Sequence, residues 1–341
     1  MSNLPPSGEI PRGAIRFNTD SNKPELWDGS QWAEFQLSTP NLGRSVDTQP
    51  GARGIFGGGS NPGLSPVDRV TIDYLNISST GDAQEFGDLT VGRANPGCCS
   101  SQTRAVWSGG ESPGRSAEID YVTISSTGNA VDWGVNLPAS RRYIMGCGNQ
   151  TRGILGGGGT PSATNDIQYI TIAQTGTIND FGDLTESTML NAGACSNSIK
   201  GVFADGNGVT AGRHIQAINI ASTGNAQNFG DVNNTGDASR SCANAVRGLV
   251  AIGAGRSNNI EYVTMSSLGN SVDFGDLSEA RYGVGATGDK VRAVIAGGYT
   301  PTLVDTIDYV EFMSQGNAVD FGNLIQARRE TGACSNAHGG L

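Results

Sequence analysis

One pattern of apolar positions recurs six times along the chain: Ile72-Asp-Tyr-Leu-Asn-Ile77, Ile119-Asp-Tyr-Val-Thr-Ile124, Ile167-Gln-Tyr-Ile-Thr-Ile172, Ile215-Gln-Ala-Ile-Asn-Ile220, Ile260-Glu-Tyr-Val-Thr-Met265 and Ile307-Asp-Tyr-Val-Glu-Phe312. In an extended chain alternate side chains point to opposite faces, so Ile72 and Tyr74 take one face and Leu75 and Ile77 the other. That predicts a strand buried on both sides. Each copy is followed by an aromatic-glycine pair, at Phe86-Gly87, Trp133-Gly134, Phe181-Gly182, Phe229-Gly230, Phe274-Gly275 and Phe321-Gly322, spaced by 45 to 48 residues.

Each unit also holds an earlier strand that starts on a basic residue and ends in glycine: Arg53 to Gly59, Arg104 to Gly110, Arg152 to Gly158, Lys200 to Gly206, Arg247 to Gly253 and Arg292 to Gly298. Between the Ile-rich strand and the aromatic sits Gly81, Gly128, Gly176, Gly224, Gly269 or Gly316, usually followed by Asn or Asp. Such a glycine supplies the positive φ of a tight turn. The unit reads as four short strands, with no 3.6-residue apolar stripe anywhere. A repeat of about 40 to 50 residues with four strands has the size of a propeller blade.

The innermost strand of each unit is marked by Cys99, Cys147, Cys195, Cys242 and Thr287, each six residues before the Gly or Ala that follows the basic residue. The C-terminus, from Arg328 to Leu341, repeats this strand with Cys334 and then ends, whereas the unit at Arg53 has no good inner strand of its own. The expected fold is therefore all-β: a six-bladed propeller over residues 43–341, closed by the C-terminal strand and preceded by a short β-hairpin segment over residues 1–42. Closing the ring removes an exposed sheet edge.

Composition narrows the function classes. The 341 residues include 51 glycines and 13 prolines, a turn-rich content still below that of low-complexity chains. No apolar run approaches the ~18 residues of a membrane span, and Met1-Ser-Asn-Leu-Pro-Pro lacks the features of a secretory leader. A net charge of −10 spread along the chain argues against nucleic acid as a partner.

The unit from Arg281-Tyr-Gly-Val-Gly-Ala through Ala293-Val-Ile-Ala-Gly-Gly298 and Asp308-Tyr-Val to Phe321-Gly resembles a kelch blade. The gap from Tyr309 to Phe321 is longer than in kelch, and the double glycine decays to Asp205-Gly206 and Ile252-Gly253, so the chain is kelch-like. At the N-terminus, Gly13, Ile15, Arg16, Phe17, Asn18 and Thr19, followed by Trp27, Asp28, Gly29 and Trp32, resemble a short strand motif of bacteriophage fibre proteins. The Ile-Thr-Ile-Ser-Ser-Thr-Gly-Asn-Ala-Val-Asp type of unit is similar to structural proteins of phages of marine bacteria. The resemblances imply a virion protein, assembled in the host cytoplasm, whose N-terminal segment attaches to other phage structural proteins through Ile15, Phe17, Trp27, Trp32 and Phe35, or to further copies of itself.

Candidate chemistry is sparse. His214 and His338 lie in different units, too few for a histidine-rich metal site. The cysteines recur at one strand position, as core packing does. The carboxylates at Glu85, Asp132, Asp180, Asp273 and Asp320, and at Asp88, Asp183, Asp231 and Asp276, recur with the unit, which points to turn and strand-end hydrogen bonds rather than a glycosidase pair. Arg93, Arg141, Arg281 and Arg328 recur too. No cofactor and no catalysis are expected.

What varies is the loop between the glycine end and the Ile-rich strand. These loops carry Asn61, Ser112, Arg115, Thr160, Asn165, Asn207, Arg213, Arg256, Asn258, Tyr299 and Thr302, and propeller topology sends them to one face. Repetition enforces the scaffold and leaves function to what differs. The expectation is a phage tail fibre or capsid appendage whose loop face binds a host-surface glycan or protein. The alternatives are a purely structural connector or decoration protein, and a glycan-cleaving enzyme.

Overall fold

A computed structural model describes residues 10–18, 23–34, 52–67, 69–111, 113–160, 162–186, 191–204, 214–234, 238–253 and 256–341. Every regular element among them is a strand. The chain divides into two compact units, residues 1–49 and 50–341; the boundary expected at residues 42 and 43 falls outside the described residues.

The first unit is a three-stranded antiparallel sheet of β1 (Ile15–Asn18), β2 (Lys23–Trp27) and β3 (Trp32–Glu34), in that order. One strand more than the expected hairpin is present. Its second turn is set by Asp28, whose carboxylate accepts the amides of Ser30 at 2.7 Å and Gln31 at 2.8 Å. Those bonds hold the Asp28 carboxyl below its ordinary pKa, and Gly29 takes the positive φ.

The second unit contains six four-stranded antiparallel sheets among its described residues. In chain order the strands are β4 (Arg53–Gly57), β5 (Thr71–Asn76) and β6 (Gln84–Asp88); β7 (Gly97–Ser100), β8 (Arg104–Ser108), β9 (Ile119–Thr123) and β10 (Val131–Asp132); β11 (Met145–Gly148), β12 (Arg152–Gly156), β13 (Asp166–Thr171) and β14 (Asn179–Asp183); β15 (Gly193–Ser196), β16 (Lys200–Ala204), β17 (His214–Asn219) and β18 (Gln227–Asp231); β19 (Arg240–Ala243), β20 (Arg247–Ala251), β21 (Asn259–Thr264) and β22 (Val272–Asp276); β23 (Gly285–Gly288), β24 (Arg292–Ala296), β25 (Thr306–Glu311) and β26 (Val319–Asn323); and β27 (Gly332–Ser335). Five sheets are consecutive meanders. The sixth has the order β27-β4-β5-β6, with Cys334 opposite Ile55. The C-terminal strand therefore supplies the inner strand that the first unit lacks.

The sheets pack face to face, and the core lies between them. Ile55, Ile72 and Phe86 of one sheet meet Trp107, Val122 and Ile124 of the next, while Leu75 and Ile77 on the other face of β5 meet Val294, Ile307 and Phe321 of the β23–β26 sheet. The two-faced burial expected of Ile72 and Leu75 is what these contacts require. Five of the six β5-type strands carry a bulge where they meet the strand after them, as at Ile72/Asp73.

The aromatic-glycine pair has a cause beyond turn propensity. Gly128 donates its amide to Phe86 O at 2.8 Å, and the same bond runs from Gly176 to Trp133, Gly224 to Phe181, Gly269 to Phe229, Gly316 to Phe274 and Gly81 to Phe321. A Cβ on Gly87 would sit 2.3 Å from Gly128 O, so glycine is the residue that admits the neighbouring backbone. The Asn that follows four of the turn glycines reaches the same neighbour: Asn129, Asn225, Asn270 and Asn317 accept the amides of Asp88, Asp183, Asp231 and Asp276 at 3.0 to 3.1 Å.

The recurring arginines are structural. Arg93, Arg281 and Arg328 are buried against Asp120, Asp308 and Asp73, the acidic residues of the Ile-Asp-Tyr pattern, and Arg141 against Gln168. Arg328 also donates to Phe56 O at 3.2 Å, joining the end of the second unit to its beginning. Burying an ion pair is a small net gain, but leaving one partner alone costs about 3–5 kcal/mol. Asp73→Ala is thus expected to destabilise the fold by that order. Deleting residues 328–341 is expected to lower the melting temperature further, because it removes both Arg328 and β27. Thermal melts equal to the full chain would reject this account of the C-terminus.

Candidate functional site

The inner strands have two ends, distinguished by what lies against them. At one end lie the turns joining first and second strands, and the C-terminal tail crosses them. Gly339 donates to Ala243 O at 2.8 Å, and His338 Nε2 lies 3.0 Å from Ser100 O. A Cβ on Gly340 would lie 2.1 Å from Gly148 O, which accounts for the Gly-Gly ending. Gly340 N donates to His338 Nδ1 at 3.1 Å, so the neutral ring carries its proton on Nε2 and gives it to Ser100.

Behind this tail is a cavity of about 40 Å³ lined by Cys99, Cys147, Cys195, Cys242, Cys334 and Thr287, room for a few waters. All six cysteines are free and buried. Burial pushes the Cys99 and Cys147 thiols up, and Cys195 up to about 12, so these groups stay protonated at neutral pH and are poor nucleophiles. Serines next to them tie inner strands together: Ser100 Oγ donates to Ser335 O at 2.7 Å and Ser335 Oγ to Gly288 O at 2.5 Å.

The opposite end carries the loops expected to bind. Isolated bridges Ser60–Arg329, Ala94–Glu111, Arg142–Gly159 and Tyr282–Tyr299 join the second-to-third-strand loops of four sheets to the segment that enters the inner strand of the same sheet. The variable loops and these entry segments therefore share one face.

Of the loop residues picked from sequence, Asn61 is held by its own surroundings, donating to Ala327 O at 2.8 Å and accepting from Gly63 at 2.9 Å. Thr160 Oγ1 donates to Ser162 O, and Asn165 reaches Leu184 O at 3.5 Å. Arg115, Asn258 and Thr302 are exposed. Arg256 stacks over Tyr299 at 5.4 Å, and Tyr299 packs on Tyr282 with centroids 5.4 Å apart. Ser112, Asn207 and Arg213 lie outside the described residues, as does Phe35 of the first unit. In that unit Trp27 is buried against Trp32, with centroids 5.4 Å apart, while Ile15 and Phe17 are 67% and 58% exposed on one side of β1.

Sequence reasoning missed the partners that make a site of these loops. Arg329 lies 5.4 Å from the Tyr282 ring and 5.6 Å from the Tyr299 ring, and it donates to the Tyr282 hydroxyl. Arg142 pairs with Glu111 at 2.7 Å and stacks on Tyr143. The cluster of Tyr282, Tyr299, Arg256 and Arg329 combines flat aromatic faces with cations. Its signal was the second arginine of Arg328-Arg329, hidden behind the recurring first one.

The carboxylates read from sequence fare differently from the arginines. Asp132 accepts the Gly134 amide at 2.6 Å, as expected of a turn residue. His214 stands between Glu186 and Asp231 at 3.4 and 3.3 Å. The deeply buried acids are instead Asp73, Asp120, Glu261 and Asp308. Glu261, whose unit has Gly236 where four others have arginine, accepts the amides of Asn233 and Asn234 at 3.0 and 2.9 Å. Among the described residues no group of His, Cys, Asp and Glu has the geometry of a metal site.

Comparison with protein-family models and with curated proteins gives no match.

The tail makes stability depend on pH. Burial holds the His338 pKa below its ordinary 6.5, so the unfolded chain takes up a proton first as pH falls. The contribution of His338 is full above about pH 6.5 and is lost below it. Urea midpoints measured from pH 7.5 down to about 5.5 are expected to fall more steeply for the native chain than for His338→Gln; parallel slopes would remove His338 as the cause.

Proposed function

We propose that the second unit is a six-bladed, kelch-like β-propeller closed by its C-terminal strand, and that the chain is a surface protein of a bacteriophage virion that binds host-surface material without changing it. The closed ring is supported by contacts that run from the last sheet to the first: the Gly81–Phe321 bond, the bond from the Ile325 amide to Asp73 at 3.1 Å and the core between β5 and β24.

Adhesion is supported above all by the Tyr282, Tyr299, Arg256 and Arg329 cluster. It is not repeated around the ring, it lies on the face of the variable loops, and nothing in the packing of the sheets calls for it. Aromatic faces stack on sugar rings or on apolar side chains, and the arginines bring charge beside them. Many copies on one particle make weak single contacts sufficient. Arg115→Ala, Arg256→Ala and Tyr299→Ala together are expected to reduce adsorption to host cells by about tenfold or more while the melting temperature stays near that of the native chain. Adsorption equal to native would discard this face, and release of cleaved sugar by the purified protein would favour an enzyme.

Attachment to the virion is assigned to the first unit, whose exposed Ile15 and Phe17 suit an apolar partner. A chain starting near Gly43 is expected to fold and yet be missing from purified particles; normal incorporation would move attachment to the second unit. A structural connector is the second reading, favoured by Ile199, Val246 and Val291, which stand 46% to 59% exposed in the first-to-second-strand turns of three successive sheets.

A further inference from the structure

Five of the six inner strands begin with a residue that carries no charge: Gly97, Met145, Gly193, Gly285 and Gly332, each two positions before the cysteine or Thr287. The sixth begins with Arg240, in the same register opposite Ala251. Its guanidinium extends to other sheets' entry segments. Nη2 donates to Asn95 Oδ1 at 2.9 Å, and Nη1 to Asn191 Oδ1 at 3.0 Å and to Ser239 O at 2.8 Å.

All these partners are neutral. Among the described residues no carboxylate comes within 4 Å of Arg240; Glu330 is felt only through its field, and burial draws the Arg240 pKa down. Asn95 and Asn191 are themselves held in the left-handed region, at φ 52° and 58°, a conformation that asparagine tolerates better than most residues. A cation fixed by two preset amides and left without a counter-ion is half of an ion pair.

The other half has a place. Arg240 lines a second axial cavity of about 40 Å³, beside Pro96, Ile144 and Met145. Ser241 and Thr331 are residues of the same lining, and their hydroxyls, which lie against Gly193 and Gly285 of the neighbouring inner strands, are buried with no hydrogen-bond partner. Ser241 is 8% exposed and Thr331 1%. Buried hydroxyls are ordinarily satisfied.

We propose that this mouth of the axis binds a carboxylate, with Arg240 supplying the charge and Ser241 and Thr331 the neutral donors. The planar guanidinium matches a carboxylate. One fixed cation, a small cavity and the nearby Glu330 charge disfavour a phosphate dianion. The apolar flank of Ile144 and Met145 suits the carbon that bears the carboxyl. The assignment stands whether or not the chain is a virion adhesin.

The test is calorimetric titration of the full chain with acetate, glucuronate and, as a neutral control, glucose, repeated on Arg240→Met, which borrows the residue of the equivalent position at Met145. Loss of a charge-assisted hydrogen bond is worth about 1.5–3 kcal/mol, so R240M is expected to weaken carboxylate binding by about 10- to 100-fold. A melting temperature within a few degrees of native certifies that R240M is folded. Should it unfold, Ser241→Ala and Thr331→Val, which keep the charge, are expected to weaken binding together by about tenfold, and their failure to do so overturns the proposal. Binding of acetate alone assigns a small free acid, and binding of glucuronate assigns an acidic sugar; either supports the site. Binding of neither carboxylate by the native chain, equal binding of glucose, or unchanged affinity in folded R240M overturns it.

Discussion

The second unit depends on how closely the sheets approach at their outer rims. Each turn glycine donates to the carbonyl of the preceding sheet's aromatic residue at 2.7 to 2.9 Å, and at five of the six contacts the glycine after that aromatic leaves the space for it. Around this contact the other recurring residues fall into place. Tyr74 meets Phe86 edge to face at 5.8 Å, Arg53 lies 4.8 Å above the Tyr74 ring, and the same guanidinium donates to Ile124 O of the next sheet at 2.9 Å. One side chain therefore stacks within its own sheet and fastens the next. A four-stranded sheet alone exposes two apolar faces; only this repeated fastening buries both.

The repeat was legible because it is enforced twice, by packing within a sheet and by contact between sheets. The Ile-Asp-Tyr pattern, the basic residue and the aromatic-glycine pair each answer to both demands, so they recur with little change. The reason for the acidic residue in Ile-Asp-Tyr was not legible. Asp73 and Arg328 are 255 positions apart, and only the constant separation of 27 between Arg93 and Asp120 and between Arg281 and Asp308 hints at that pairing. The cysteines were correctly placed on inner strands, whereas the serine bonds between those strands appear only when neighbouring strands are brought together.

The site was legible in part for the same reason. Choosing residues that vary among loops found Arg256 and Tyr299, but it also gathered Asn61 and Thr160, whose side chains serve their own turns. Variation in a loop records freedom from the scaffold, which function and idleness share. Arg329 was missed because it follows a recurring arginine, and Arg240 because it interrupts a run of glycines rather than forming a motif of its own.

The entry segments explain why the axis mouth is where departures from the repeat accumulate. The residue two positions before each inner strand is left-handed: Asn95, Tyr143, Asn191, Ala238, Gly283 and Glu330 have φ between 52° and 70°. Glycine would relieve the cost, of order 1 kcal/mol for a residue such as Tyr or Glu, yet glycine appears once. The backbone needs the turn, since Asn95 N bonds Glu330 O at 2.9 Å and Glu330 N bonds Gly283 O, but it does not need those side chains. Six positions with one backbone role and five different residues are positions at which the scaffold has no preference to impose, and two of them, Asn95 and Asn191, are free to hold the guanidinium of Arg240.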